Sequence, residues 1–228
     1  MRRSHLLVSA FVAMITFGEV VRAEIASTAG AMTEIAPPAS VVVGALESSS
    51  TIYVFEEGLS TVPLTPDLFF DHIGPGSFEG TPPPFFLMPK GAMLYSYLVH
   101  FDPVGTTLTS LTGSITFEAG ETIVGIQAHT PDIYSTDGFF GDPGVTYPAS
   151  GTDLTRGFDT FVTIDDTGSV AFDLNTVTFM LAAELGVDEA RIFTVIVPEP
   201  SCLALILVGI GLSLAPRRRQ SASLGQCP

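Results

Sequence analysis

Short runs of alternating apolar and polar residues, closely spaced and broken by turn signals, constrain this chain more than any other feature. Val170/Phe172/Leu174, Val177/Phe179/Leu181, Ile115/Phe117 and Val124/Ile126/Ala128 each place apolar side chains on one face at a period of two. That is the repeat of a β-strand half buried against a core. The candidate strands are Thr51–Glu56, Ala92–Phe101, Ser110–Glu118, Thr122–Thr130, Phe158–Ile164, Ser169–Leu174, Thr176–Ala182 and Ala190–Val197. Ala119-Gly120, Asp165-Asp166-Thr167-Gly168 and Gly186-Val187-Asp188 separate them with residues that turns select. Between the two ends of the chain no stretch carries a 3.6-residue apolar repeat. Strands this short and this close in sequence pair antiparallel, most simply as a two-sheet β-sandwich. The expected fold class is therefore mainly β.

Three segments break the pattern. Glu24–Ser50 is rich in Ala, Ser and Thr and reads as a flexible N-terminal segment with a short strand at Ser40–Leu46. Thr61–Pro89 holds Pro63, Pro66, Gly74-Pro75-Gly76 and Pro82-Pro83-Pro84, which exclude a central strand. Pro131–Gly157 is a second long loop, and loops of this length are often functional or else disordered.

Both ends are apolar and flanked by positive charge. Met1-Arg2-Arg3, the apolar run Leu6–Phe17 and Val21-Arg22-Ala23 have the order of a signal peptide cleaved after Ala23. At the other end, Val197-Pro198-Glu199-Pro200-Ser201 precedes an uncharged run from Cys202 to Ala215, and Arg217-Arg218-Arg219 follow. At about 1.5 Å per residue that run is roughly 21 Å of helix, short for a bilayer core of about 30 Å. Prolines at its start and snorkelling arginines at its end favour a membrane helix over a core helix. Positive charge on the outer flank of each apolar segment puts both flanks in the cytoplasm and everything between outside. The expected organisation is a signal peptide at 1–23, the flexible segment at 24–50, a β-sandwich ectodomain at 51–197, a sorting and membrane segment at 197–219, and a cytoplasmic tail at 220–228.

Pro198-Glu199-Pro200, the apolar helix and Arg217–Arg219 together resemble the PEP-CTERM sorting signal of Gram-negative bacteria. The resemblance covers about 25 residues. It implies recognition by an exosortase after signal peptidase has acted, and transient residence in the inner membrane. Its bearers are typically linked to exopolysaccharide or biofilm matrix, so an exopolysaccharide partner is implied as well. Ser96–Pro103 and Ala190–Val195 look like stretches of other PEP-CTERM β ectodomains, which adds to the sandwich expectation and supplies no activity.

Within Glu24–Pro200 there are 23 Asp and Glu against three basic residues, Lys90, Arg156 and Arg191. That balance disfavours nucleic acid and anionic lipid as partners. The only cysteines, Cys202 and Cys227, lie at and beyond the apolar tail. The exported part thus has neither a disulfide framework nor a thiol nucleophile.

No nucleophile elbow, His-Glu-x-x-His, phosphate loop or dinucleotide fingerprint is present. His100 and Asp102 share a face at a strand end, Asp71-His72 lies in a loop, and His129 ends a strand. Such histidines are more often half-exposed polar residues than ligands. Asp137, Asp142, Asp153 and Asp159 are the candidate metal ligands, since Ca²⁺ takes six to eight oxygens from carboxylates and carbonyls. Asp with Gly is also what ordinary turns use. Tyr53, Tyr95, Tyr97, Tyr134 and Tyr147 could stack on sugars in a domain without tryptophan, and Phe139-Phe140 is either a binding tip or core. The reading is a non-enzymatic structural or binding protein of the envelope or matrix, with no obligatory cofactor. The alternative is a carbohydrate- or Ca²⁺-binding module or hydrolase using the 131–157 loop.

Overall fold

The structure, a computed structural model, describes residues 23–79, 85–149, 156–158, 166–171, 173–183 and 186–197. Among these residues the chain is mainly β, with twelve strands and one helix. Five strands form a first sheet in the spatial order β1 (Ile25–Gly30), β8 (Thr109–Phe117), β11 (Thr176–Ala183), β10 (Thr167–Val170), β5 (Gly76–Glu79). Five more form a second sheet in the order β2 (Met32–Glu34), β3 (Ile52–Thr61), β7 (Met93–Phe101), β12 (Asp188–Ile196), β9 (Glu121–Gln127). β4 (Phe69–Phe70) and β6 (Phe86–Leu87) make a small ribbon, and helix α1 (Thr130–Phe140) follows β9.

At one corner the chain passes from the first sheet to the second with hardly a break in its extended run. β1 runs beside β8, and after Gly30 the chain enters the second sheet as β2. Gly30 has a φ of 68°, and a Cβ there would meet the Thr112 carbonyl at 2.5 Å, so only glycine fits. The Ala31 N–H donates to the Thr112 carbonyl in the first sheet at 2.9 Å, and its own carbonyl accepts from the Ile52 N–H in the second at 2.9 Å. The strand is thus handed over without losing its backbone bonds. Because β2 keeps the direction of β1 and residues 35–51 return the chain, β2 and β3 pair parallel. Every other pairing between the named strands of the described residues is antiparallel. The wholly antiparallel expectation is corrected at this one edge.

The main apolar cluster draws on both sheets. Ile115, Phe117, Val177, Phe179 and Leu181 come from the first, and Ile52, Val54, Tyr97, Val99, Ile126 and Ile192 from the second. Ile115, Phe117, Val177, Phe179, Leu181 and Ile126 are positions that the period-two pattern marks, each large apolar side chain contributing about 1.5–3 kcal/mol when fully buried. Val124, expected on the face of Ile126 and Ala128, packs instead against the opposite cluster while Ile123 joins the main one. The opposite face of the second sheet is buried too. There Leu94 and Phe193 join Phe70, Met88 and Phe140 in one cluster, while Phe55 and Leu98 join Val41 and Val145 in another. Between these clusters the same face carries Ser96, His100, Glu189 and Arg191, all fully buried. A strand such as β12 is therefore covered on both sides.

Several expectations are corrected. The 131–157 loop begins with an 11-residue helix, and Thr130 belongs to that helix rather than to the preceding strand. Its buried residues are Ile133, Thr136 and Phe140, a face too sparsely apolar to show a helical period. Residues 24–50 hold β1 and β2, while Ser40–Leu46 contributes one isolated bridge, Ser40 to Thr146. Thr61–Pro89 contains β4, β5 and β6. The strand expected at Ser169–Leu174 ends at Val170, and Leu174 sits in a turn with φ 59°. Most of Phe158–Ile164, the signal peptide up to Arg22 and everything from Pro198 onward lie outside the described residues. Among the described residues no helix is long and apolar enough to cross a membrane.

Phe70 packs on Gly125 of β9, where a Cβ would lie 2.4 Å from the ring, and reaches Phe193 with ring centres 5.4 Å apart. Gly125→Ala is expected to cost about 1–3 kcal/mol by overpacking. Phe70→Leu in the same chain should return part of that loss, read as denaturant midpoints of the two single variants and the double.

Candidate metal centre and the charge network behind it

The polar seam on the second sheet is built around Arg191. Its Nε and Nη2 donate to Glu57 Oε2 and Oε1 at 2.7 and 2.8 Å, and Nη2 also donates to Asp137 Oδ1 at 2.9 Å. Nη1 donates to the Ile133 carbonyl at 3.1 Å and to Thr136 Oγ1 at 2.6 Å. A guanidinium has five N–H groups, and each has an acceptor here. Burial works against the charge, but Glu57 and Asp137 outweigh it and push the Arg191 pKa up. Asp137 is shared: Arg156 also reaches both its oxygens, through Nη1 and, at 3.0 Å, through Nη2. Arg156 Nε donates to Glu189, whose other oxygen accepts from His100 Nδ1 at 2.8 Å. The Arg156 guanidinium also lies 5.0 Å from the Tyr134 ring centre, a cation–π arrangement. Tyr147 donates to Glu57 Oε1 at 2.8 Å.

The seam continues outward. Thr136 Oγ1 donates to Gln127 Oε1 at 2.7 Å, and Gln127 Nε2 donates to the Phe69 carbonyl at 2.7 Å. That carbonyl belongs to β4, two residues before Asp71. Asp71 is 4% exposed, and its Oδ2 accepts from the N–H groups of Ala128 and His129 at 2.6 and 2.7 Å. It thereby fixes the junction between β9 and α1 by satisfying donors at the helix start. Asp71 Oδ1 has no hydrogen-bond partner.

His129 is the N-cap residue of α1 and makes no side-chain cap bond; Pro131 opens the helix and Asp132 lies in its first turn. His129 Nδ1 is 3.0 Å from Asp132 Oδ2. One donor atom each from Asp71, His129 and Asp132 lie within 4.8 Å of one another. Burial, with the Asp132 carboxylate alongside, pushes the Asp71 carboxyl up to about 6 against the pull of its two N–H donors. A cleft of about 220 Å³, lined by Phe69, Phe85, His129, Pro131 and Asp132, opens beside the group.

Of the carboxylates singled out in the sequence, the two that are described, Asp137 and Asp142, sit elsewhere. Both oxygens of Asp137 are taken by guanidiniums, so a cation there would have to displace two arginines. Asp142 Oδ1 accepts from the Gly144 N–H at 2.6 Å in an ordinary turn. Asp153, Asp159 and the sorting residues Pro198, Glu199, Pro200, Arg217, Arg218 and Arg219 lie outside the described residues. His100 and Asp102 have separate partners, Glu189 and the Gly44 N–H. Phe140 is core and Phe139 is 39% exposed. Asp132 had no signal of its own, although His129-Thr130-Pro131-Asp132 has the spacing of an i, i+3 pair at a helix start.

Arg191→Met should destabilise the fold by about 3–5 kcal/mol in chemical denaturation, because it strands Glu57 and Asp137 without their partner. Burial alone would raise the Glu189 carboxyl, but Arg156 and His100 hold it below its ordinary 4.5. A depressed carboxyl contributes stability above the unfolded-state value and loses it as pH falls through the folded-state value. Glu189→Gln should therefore cost most above pH 4.5, and the gap from the parent should narrow below that, measured as denaturant midpoints across pH.

Compared with models of known families, with curated proteins and with solved structures, this chain has no match.

Proposed function

We propose that this chain is an exported protein of the cell envelope or extracellular matrix, delivered by a PEP-CTERM-type tail and serving a non-enzymatic structural or binding role. The observation that carries the reading is the ordered combination of Pro198-Glu199-Pro200, the uncharged run Cys202–Ala215 and Arg217–Arg219. A signal-peptide pattern at 1–23 with the same charge logic supports it. In this reading the part between is a β-sandwich ectodomain. The main cluster with side chains from both five-stranded sheets supports that packing, as does the strand that passes from one sheet to the other at Gly30.

The processing enzymes are a signal peptidase and an exosortase, and exopolysaccharide is the macromolecule whose company the tail implies. An acidic exported surface, 23 carboxylates against three basic groups over Glu24–Pro200, suits solubility outside the cell better than contact with another polyanion. The alternative of a Ca²⁺- or carbohydrate-binding or hydrolytic 131–157 loop gains nothing from Asp137, whose oxygens serve two arginines.

In a host with its exosortase, intact mass should give a mature form lacking the segment after about Pro200, found in the surface or released fraction. In the exosortase deletion the tail should be retained and the protein should stay with the membrane. A full-length tail in both strains contradicts the reading.

A further inference from the structure

The group formed by Asp71, His129 and Asp132 combines three features that the rest of the fold does not require. First, Asp71 needs only Oδ2 to hold the Ala128 and His129 N–H groups. Its Oδ1 is buried and without a hydrogen-bond partner, in a residue 4% exposed. A buried carboxylate oxygen left bare is costly unless a cation or a proton completes it. Secondly, a second carboxylate and an imidazole stand beside Asp71, with one donor atom from each of the three residues within 4.8 Å of the others. Thirdly, the His129 and Asp132 side chains remain 33% and 14% exposed, on the wall of the cleft with Phe69, Phe85 and Pro131. An ion has a way in.

We propose that Asp71, His129 and Asp132 bind one divalent transition-metal cation, with Zn²⁺ as the representative of its class. Two carboxylates and one imidazole are a borderline donor set, matched to ions that accept nitrogen and oxygen together. Ca²⁺ fits poorly, because it takes six to eight oxygens and this group supplies too few. Donors about 2.0–2.2 Å from a common Zn²⁺ can be reached from the present spacing by rotation of the two partly exposed side chains. Asp71 needs no rearrangement, since Oδ2 stays on the backbone and Oδ1 gains its partner. Three protein donors leave a fourth position of a four-coordinate ion for water or a small anionic ligand entering from the cleft.

The assignment is independent of how the chain is exported, and it differs from the Asp137–Asp159 loop in both residues and donor chemistry. Behind it, the bonds from Arg191 through Thr136 and Gln127 to the Phe69 carbonyl hold helix and ribbon in register. This is the support that a preorganised site needs.

The test uses the untagged full chain, purified in detergent and stripped of metal with a chelator. Zn²⁺ is titrated calorimetrically, and Co²⁺ is followed by its visible absorption. The expected result is saturable uptake of one equivalent per chain, weakened at least tenfold by His129→Gln and by Asp132→Asn, each with unchanged far-ultraviolet circular dichroism. His72→Gln, whose ring donates instead to the Gly74 carbonyl at 2.9 Å, should bind like the parent. Asp71 is left intact because Oδ2 holds the helix start. Absence of saturable uptake overturns the proposal and leaves a proton shared between Asp71 and Asp132 as the partner of Oδ1. Uptake that both variants retain at full affinity also overturns it, by placing the ion elsewhere.

Discussion

The guanidinium of Arg191 holds together the covered face of the second sheet. It lies on β12, an interior strand of that sheet, with no exposure, and every guanidinium N–H has an acceptor. Two of its acceptors are on β3 and three are on α1, so one side chain fixes the helix against the sheet. The helix cannot do this for itself: its inward face offers Ile133, Thr136 and Phe140, and an isolated helix of 11 residues is marginal in water. Apolar contact from Phe140 to Phe193 and from Val145 to the Phe55–Leu98 pair closes the seam on either side. Burial of charge is expensive, and it is tolerated here because each N–H of the Arg191 guanidinium meets an acceptor.

The consequence for the candidate metal centre is positional. His129 and Asp132 are carried by the start of α1, and Asp71 by the chain leaving β4. These are separate elements on the same covered face of the second sheet, and only a fixed helix keeps them in register. Two ties do this: Asp71 Oδ2 on the Ala128 and His129 N–H groups, and Gln127 between Thr136 and the Phe69 carbonyl. The same ties occupy Asp71 Oδ2 and leave Oδ1 without a hydrogen-bond partner.

The strands with clear alternation, β8 and β11, could be read from the sequence because period two survives where one face meets the main cluster. In β9 the pattern slips at Gly125, and β12 is buried on both faces. β7 could be read for its aromatic and β-branched content, although both its faces are buried. What could not be read depends on distant partners. β1 and β2 are rich in Ala, Ser and Thr and become strands only because β8 and β3 offer open edges. The helix was hidden because its buried face is bonded to arginines rather than packed with leucines. Asp71 lies 58 residues from His129, and no local pattern announces such a meeting. One sign of the buried network is present in the sequence. Of the three basic residues in an acidic domain, two are the arginines at full burial, and a charge that scarce is seldom placed at random.

The most direct measurement is native-state amide hydrogen exchange on the parent and on Arg191→Met under conditions where both remain folded. If Arg191 anchors the helical layer, protection should fall across residues 128–147 and 156–158 while β8 and β11 in the first sheet keep theirs. A uniform loss across both sheets, or no change in α1, would contradict the account.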